Sequence, residues 1–329
     1  MMKQGESAMS KPKVYITLPV AKEVEEYIAK HCEVRKWERK EAIPRDMLLK
    51  ELADIDGLMT TGRRITENLL NHAPKLKVVS NVSVGYNNFD LEAMKKRNVI
   101  GTNTPHVLDE TVADLAFGLI LASARRIAEL DRFVKEGKWE RENGDDPFMG
   151  VDVHHATLGI IGMGRIGEAI ARRAKFGFNM DVLYYNRNQK PEVEKEVGVT
   201  YSHFEDLLKE SDFVLLMTPL TPETRHLIGE KEFKLMKKTA IFINVSRGQT
   251  VDEQALITAL RNKEIHGAAL DVFDQEPVEK DNPLLQMPNV VTTPHIGSAT
   301  QKTSDAMAMR AAQNMVAVLT GQKPIDPVW

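Results

Sequence analysis

Short runs of β-branched and aliphatic residues alternate with amphipathic stretches along most of the chain. This is the pattern of a parallel sheet covered by helices on both faces. In the first hundred residues, KVYITL, IDGLMT, LKVVS and VIGTN predict strands, while AKEVEEYIAKH and RDMLLKELAD between them predict helices. The stretch from Thr104 to Trp139 predicts one long helix, started by Thr104 ahead of Pro105, because proline fits a first helical turn. A helix of that length could bridge two domains. Residues 137–150 are polar, carry Trp139 and Phe148, and read as an exposed arm.

From Thr157 the alternation restarts. TLGIIG, MDVLYYN, DFVLLMT, AIFINVS, GAALDVF and NVVTTPH predict six strands, most of them separated by helical segments. Six such units make a doubly wound nucleotide-binding domain. The final apolar-periodic stretch, QKTSDAMAMRAAQNMVAVLTG, is a helix beyond the sixth strand. Its return to the first domain would make that domain discontinuous.

Composition narrows the class. A chain of 329 residues accommodates two domains. Lys+Arg 44 against Asp+Glu 47 gives net −3, which argues against a nucleic-acid or membrane surface. The single cysteine, Cys32, excludes an internal disulfide and reads as a buried thiol. No apolar run approaches the roughly 18 residues of a membrane span, and the opening MMKQGESAMS lacks a signal-peptide core. That opening is expected to fray, with Met9 an alternative start, and the chain to be cytoplasmic. No His/Asp/Glu cluster has metal-ligand spacing, so no metal is expected. His154 and His155 read as structural, and His106, at the start of the long helix, as a cap or surface residue.

Gly162, Gly164 and Gly167 form G-x-G-x-x-G between an apolar strand and a helix-forming run, EAIARRAKF. In that context the first glycine permits a tight turn and the second lets backbone approach a pyrophosphate. The third brings helix and strand close, with the helix N-terminus facing the phosphate charge. A dinucleotide cofactor is implied. An acid that reads the ribose hydroxyls of NAD is expected at the end of the next strand. The residue 22 positions after Gly164 is Asn186, followed by Arg187 and, soon after, Lys190. A carboxylate would repel the 2′-phosphate of NADP, whereas a neutral amide and an arginine fork suit it. NADP(H) is therefore the expected cofactor, with NAD(H) possible. The alternative is a solvated basic turn.

Three polar residues follow successive predicted strands: Arg247 in NVSRGQTVDEQAL, Glu276 in DVFDQEP and His295 in TTPHIGSAT. Ligands of doubly wound sheets lie outside the carboxyl ends of the strands. The three residue types fit reduction of a 2-oxo acid. His295 is the natural acid–base, Glu276 would orient its ring, and Arg247 would bind the substrate carboxylate and polarise the carbonyl. Each alone has an ordinary reading, as a surface ion pair, a helix-start carboxylate and a satisfied loop histidine.

These residues carry a resemblance. From about Lys13 to the last helix the chain is similar to the D-isomer-specific 2-hydroxyacid dehydrogenases, especially the glyoxylate/hydroxypyruvate and 2-ketogluconate reductase branch. NVSVGYNNFDLEAMKKRNVIGTNTP resembles the substrate-domain segment, and TVADLAFGLILASARR the interdomain helix. LGIIGMGRIGEAIARRAKFGF, INVSRGQTVDEQAL, GAALDVFDQEP and TPHIGSAT resemble the cofactor and catalytic segments. The resemblance implies an α/β fold of two Rossmann-like domains with parallel sheets, a flavodoxin-like substrate domain (1–104 and 299–329) and a doubly wound nucleotide-binding domain (105–298). It gives Arg247, Glu276 and His295 the roles above, and substrate carboxylate binding to the backbone N–H groups of Val84 and Gly85. Thr111, Arg165, Ile166, Thr218, Val245, Asp271 and Gly297 match cofactor contacts, Asp271 reaching the nicotinamide amide. It also implies a homodimer, crossed by the long helix and the Trp139 arm. Asn87 departs from the Asp of many relatives, and Asn186–Arg187 places the chain with the NADP users.

The expected function is reduction of a small 2-oxo acid to the D-hydroxy acid, with domain closure bringing Val84–Gly85 toward Arg247. The alternatives are an NAD-linked D-lactate or 3-phosphoglycerate dehydrogenase, and a cofactor-sensing binding protein on the same fold.

Overall fold

A computed structural model describes residues 10–39, 41–141 and 148–329, so the opening nine residues and part of the expected arm lie outside the described residues. The chain forms two compact units, Met1–Leu108 with Thr300–Trp329, and Asp109–Ala299.

The first unit is built on a parallel sheet of order β2-β1-β3-β4-β5. Its strands are β1 (Lys13–Ile16), β2 (Glu33–Lys36), β3 (Gly57–Thr60), β4 (Val78–Asn81) and β5 (Ile100–Thr102). β3 and β4 are buried at every position, as strands covered on both faces must be, including the polar Thr60, Ser80 and Asn81 at their ends. β2, EVRK, has no buried residue and was not expected from the sequence; an edge strand with one face in water carries too little apolar signal. Between the strands run α1 (Lys22–His31), α2 (Arg45–Glu51), α3 (Glu67–Asn71) and α4 (Leu91–Lys96). Cys32 is buried, and that burial pushes its thiol up to about 11. The C-terminal residues belong to this unit. After the tail passes Pro327, Val328 N–H bonds the Gly101 carbonyl at 3.0 Å.

The second unit holds a seven-stranded parallel sheet rather than the six strands expected. Its strands are β6 (Thr157–Ile161), β7 (Asp181–Tyr185), β8 (Thr200–Tyr201), β9 (Phe213–Leu216), β10 (Ile241–Asn244), β11 (Gly267–Leu270) and β12 (Val290–Thr292). The order is β12-β11-β10-β9-β6-β7-β8. The extra strand, β8, has two residues, too few to show a period.

The long helix expected from Thr104 is two helices, and it starts later. His106 has φ +73°, outside the right-handed helical region, and α5 runs Asp109–Ala124. Asp109 and Glu110 stand in its first turn, where acids complement the helix dipole. α5 is apolar nearly all round and deeply buried. Arg126 then adopts φ +55°, held by paired bonds to Glu129 at 2.9 and 2.7 Å, and α6 (Ile127–Lys135) leaves in a new direction. α6 buries no residue completely. The remaining helices are α7 (Arg165–Arg172), α8 (Pro191–Val197), α9 (Phe204–Glu210), α10 (Glu230–Leu235), α11 (Glu253–Arg261) and, in the first unit, α12 (Gln301–Leu319).

Candidate active site

The glycine loop joins β6 to α7. Gly162 has φ +103°, and a Cβ there would lie 2.8 Å from the Met217 carbonyl. Gly167 lets α7 press on the strand end, its missing Cβ falling 2.6 Å from the Gly162 carbonyl oxygen. Gly164 is different: a Cβ there would meet nothing within 4 Å. It caps α7 with no side chain on the helix end, leaving the first-turn amides for an anion. The Thr218 hydroxyl, one residue beyond Met217, is buried without a protein partner. Arg165 is tied to Asp109 at 3.1 Å, bringing the start of α5, and Thr111 on its first turn, to the same end of α7.

The ribose-reading loop follows β7. Gly162 N–H bonds the Tyr185 carbonyl at 3.0 Å, which docks the loop beside the glycine turn. The half-buried Asn186 amide bonds the Asn188 carbonyl at 3.3 Å, and Arg187 is exposed. Glu223 is held below the usual carboxylate range by its hydrogen bond with Thr221, then its own amide, with the charge of Arg187 adding to both. Lys190 donates its backbone N–H to the Tyr184 hydroxyl at 2.7 Å.

Arg247, Glu276 and His295 come from three loops at the carboxyl ends of β10, β11 and β12. The Arg247 loop is fixed from below. Buried Asn244 accepts from Ser246 N–H at 3.0 Å and Ser246 Oγ at 2.8 Å, and donates to the Arg247 carbonyl at 3.1 Å. Thr250 Oγ1 donates to the same carbonyl at 2.6 Å. Gly248 is where this loop crosses the next, since a Cβ there would stand 1.8 Å from the Phe273 carbonyl oxygen. Gln249 ties the two by bonding the Asp274 carbonyl. Burial lowers the Arg247 guanidinium from its ordinary value, and the nearby charge of Glu276 opposes that.

Glu276 accepts from the Phe273 amide at 3.1 Å through Oε1, and Oε2 meets His295 Nδ1 at 2.7 Å. Burial alone would push this carboxyl up; the His295 hydrogen bond and charge outweigh it and hold Glu276 below the usual range. His295 sits at φ +54°. Asp271, almost wholly buried, sustains that turn: its Oδ1 accepts from Thr293 Oγ1 at 2.7 Å and Ile296 N–H at 2.8 Å. Its Oδ2 accepts from Gly297 N–H at 2.9 Å. The Asp271 carbonyl accepts from His295 N–H at 2.9 Å. Burial pushes the Asp271 carboxyl up, against the pull of these bonds. Val245 is buried beside the strand end.

In the first unit, Val84 and Gly85 lie on the loop after β4. Asn103 Nδ2 bonds the Val84 carbonyl and Asn81 Nδ2 the Gly85 carbonyl, both at 2.8 Å. In a planar trans peptide the following N–H points the opposite way, so the Gly85 amide is turned away from Asn103.

The family model described as the NAD binding domain of D-isomer specific 2-hydroxyacid dehydrogenases matches residues 117–297. A glyoxylate reductase of Thermococcus litoralis is 49% identical over 318 residues, covering 95% of this chain and 96% of the relative. The chain belongs to the D-isomer specific 2-hydroxyacid dehydrogenase family. A glyoxylate/hydroxypyruvate reductase B of Klebsiella pneumoniae is 52% identical to this dehydrogenase over 269 residues, covering 82% of this chain and 83% of the relative. Among solved structures, an NADPH-dependent glyoxylate/hydroxypyruvate reductase of Sinorhizobium meliloti, in complex with NADP and malonate, superposes with TM-score 0.84. It shares 32% identity and covers 97% of each chain. A protein of Thermus thermophilus superposes with TM-score 0.88 at 40% identity, covering 96% of this chain and 100% of its own.

As a member of this family the chain is an NAD(P)-dependent oxidoreductase with two Rossmann-like domains. Its residues fit a nicotinamide dinucleotide at the open Gly164 turn and the unpartnered Thr218 hydroxyl. The dehydrogenase also has site residues that the sequence did not single out. Asn244 and Thr250 shape the Arg247 loop, and the one available signal was an Asn ending the apolar strand IFIN. His154 and His155 stand apart, exposed, their Nδ1 atoms 3.0 Å from each other. Among the described residues, no group of three or more His, Cys, Asp or Glu could hold a metal ion, and no helix is long and apolar enough to cross a membrane.

Proposed function

We propose that the protein is an NADPH-preferring reductase of small 2-oxo acids, such as glyoxylate, hydroxypyruvate or 2-ketogluconate, yielding 2-hydroxy acids, of D configuration where the product is chiral. The observation that carries the reductase reading is the His295–Glu276 hydrogen bond of 2.7 Å, Glu276 standing on the loop that crosses the one bearing Arg247. When bound, the reduced nicotinamide supplies the hydride. His295 presents Nε2 to the substrate carbonyl oxygen and gives it a proton, because Nδ1 is engaged by Glu276. Glu276 thereby fixes both ring orientation and tautomer. Arg247 binds the substrate carboxylate, and its partial burial strengthens that ion pair over one in water. Val84 and Gly85, on the loop after β4, offer backbone N–H groups suited to a carboxylate.

Thr111, Gly162, Gly164, Arg165, Ile166, Gly167, Thr218, Val245, Asp271 and Gly297 hold the cofactor in this reading, and Asn186, Arg187 and Lys190 receive its 2′-phosphate. The S. meliloti relative is an NADPH-dependent enzyme, which supports that choice. A homodimer fits the exposed Ile127, Val134, Trp139 and Met149 on and after α6.

The test is oxidation of NADPH and of NADH, followed by absorbance, over a panel of 2-oxo acids including pyruvate. The expected result is turnover of glyoxylate and hydroxypyruvate with a lower KM for NADPH. Tight cofactor binding with no turnover would support a sensor instead. In the same assay Asn186→Asp with Arg187→Ile is expected to reverse the cofactor preference; an unchanged ratio would remove this loop from the phosphate site.

A further inference from the structure

The loop Asn186–Gln189 has one end docked on the glycine turn, through Gly162 N–H and the Tyr185 carbonyl at 3.0 Å. Its other end is held by a side chain from inside the sheet. Tyr184 on β7 is fully buried, and its ring packs edge-on to Tyr201 of β8. Its hydroxyl lies between two groups. It accepts from Lys190 N–H at 2.7 Å and donates to Glu194 Oε1 at 2.6 Å. Lys190 is the N-cap of α8 and has no side-chain cap of its own, and Pro191 opens the helix. One phenol thus joins the loop's exit, the helix start and the sheet.

We infer that Tyr184, seated on Glu194, is a positioning residue for cofactor choice: it fixes the 186–190 loop in the shape that receives a ribose 2′-phosphate. This rests on the proposed NADPH preference. A ribose diol is read by one residue at a strand end, but a phosphate presents three oxygens and is read by several donors at once. Asn186, Arg187 and Lys190 must therefore keep their spacing; the loop's own bond, from the Asn186 amide to the Asn188 carbonyl at 3.3 Å, does not reach Lys190, and Arg187, Asn188 and Gln189 are exposed. NAD carries only a hydroxyl at this place, read at the strand end, so its binding depends little on the far end of the loop. The predicted signature is a loss confined to the phosphorylated cofactor.

The probes are adenosine 2′,5′-bisphosphate and 5′-AMP, titrated by calorimetry into the full chain, alongside KM for NADPH and NADH. Tyr184→Phe keeps the buried ring and removes the hydroxyl. It is expected to weaken adenosine 2′,5′-bisphosphate binding about five- to ten-fold, the ordinary worth of one such hydrogen-bonded group. 5′-AMP affinity, KM for NADH and kcat with NADH are expected to stay within about two-fold. Glu194→Leu should behave like Tyr184→Phe, whereas Glu194→Gln, which can still accept from the phenol, should restore most of the binding. NADH turnover by each variant shows that it has folded.

Equal weakening of both nucleotides would show that Tyr184 is structural only, and no weakening of either would show that the loop keeps its shape unaided; both overturn the inference. If the unaltered protein binds the two nucleotides equally and prefers NADH, the underlying reading fails instead.

Discussion

His295 occupies a left-handed backbone conformation that costs a non-glycine residue on the order of 1 kcal/mol or more. Asp271 holds it there through one carbonyl and both carboxylate oxygens. The ring's aim is therefore built into the turn. His295→Gln keeps a polar side chain on that turn but cannot deliver a proton. It is expected to lower kcat by about 10²–10⁴ while leaving cofactor Kd nearly unchanged; near-normal turnover would exclude it as the acid. The partner carboxylate gives an acid-side prediction. Glu276 titrates lower in the folded protein than in the unfolded chain. Its pairing thus contributes fully above the unfolded carboxyl value of about 4.3 and is lost as pH falls through the folded one. Chemical denaturation from about pH 6 to about pH 3 should show the stability gap between the protein and its Glu276→Gln variant narrowing. Asp271 works in the opposite sense. Its raised value means that protonation relieves a buried charge, so its own contribution favours the folded state as pH falls.

Among the elements, the loops after β10 and β11 behave as one piece because Gly248 lets them touch. Gly248→Ala would put a methyl into the Phe273 carbonyl, a backbone overlap that only loop separation can relieve. The expected result is a loss of several kcal/mol of stability or of Arg247's placement, seen as a fall in Tm together with a higher KM for the oxo acid. A variant unchanged in both would show that the loops part freely.

What the sequence made legible follows the same physics. The buried strands β3, β4, β6, β9 and β10 declare themselves because both their faces are mostly apolar. β2 and β8 do not, being edge strands that are short or half-wetted. The helix expected at Thr104 begins at Asp109 because His106 turns the chain left-handed, which no local propensity announces. His295 and Glu276 could be placed by counting past strand ends. Asn244, Thr250, Tyr184 and Glu194 could not, since what they hold is backbone brought to them by the fold.

For the whole molecule, the organising fact is that the first unit is made of two separated stretches of chain. α12 packs on β3, β4 and β5 and on α1, burying Met307, Ala308, Ala311, Ala312 and Met315. Asn314, wholly buried, accepts from the Ile325 and Asp326 amides at 2.8 Å, and Arg310 grips Asp326 with two bonds. Residues 1–108 alone should therefore fail to melt cooperatively, whereas the same residues joined to 300–329 through a flexible linker should do so. Cooperative melting of the shorter fragment would show that α12 is dispensable.

The order of synthesis gives this arrangement a cost in time. The face of β3–β5 that α12 covers leaves the ribosome long before its cover is made. Adding residues 109–299 takes roughly 10–40 s at ordinary elongation rates; the nucleotide-binding unit, continuous in sequence, can fold once β12 is made, whereas the earlier unit still waits for α12. The nascent chain thus carries an uncovered apolar sheet through most of its translation, a natural handle for a chaperone.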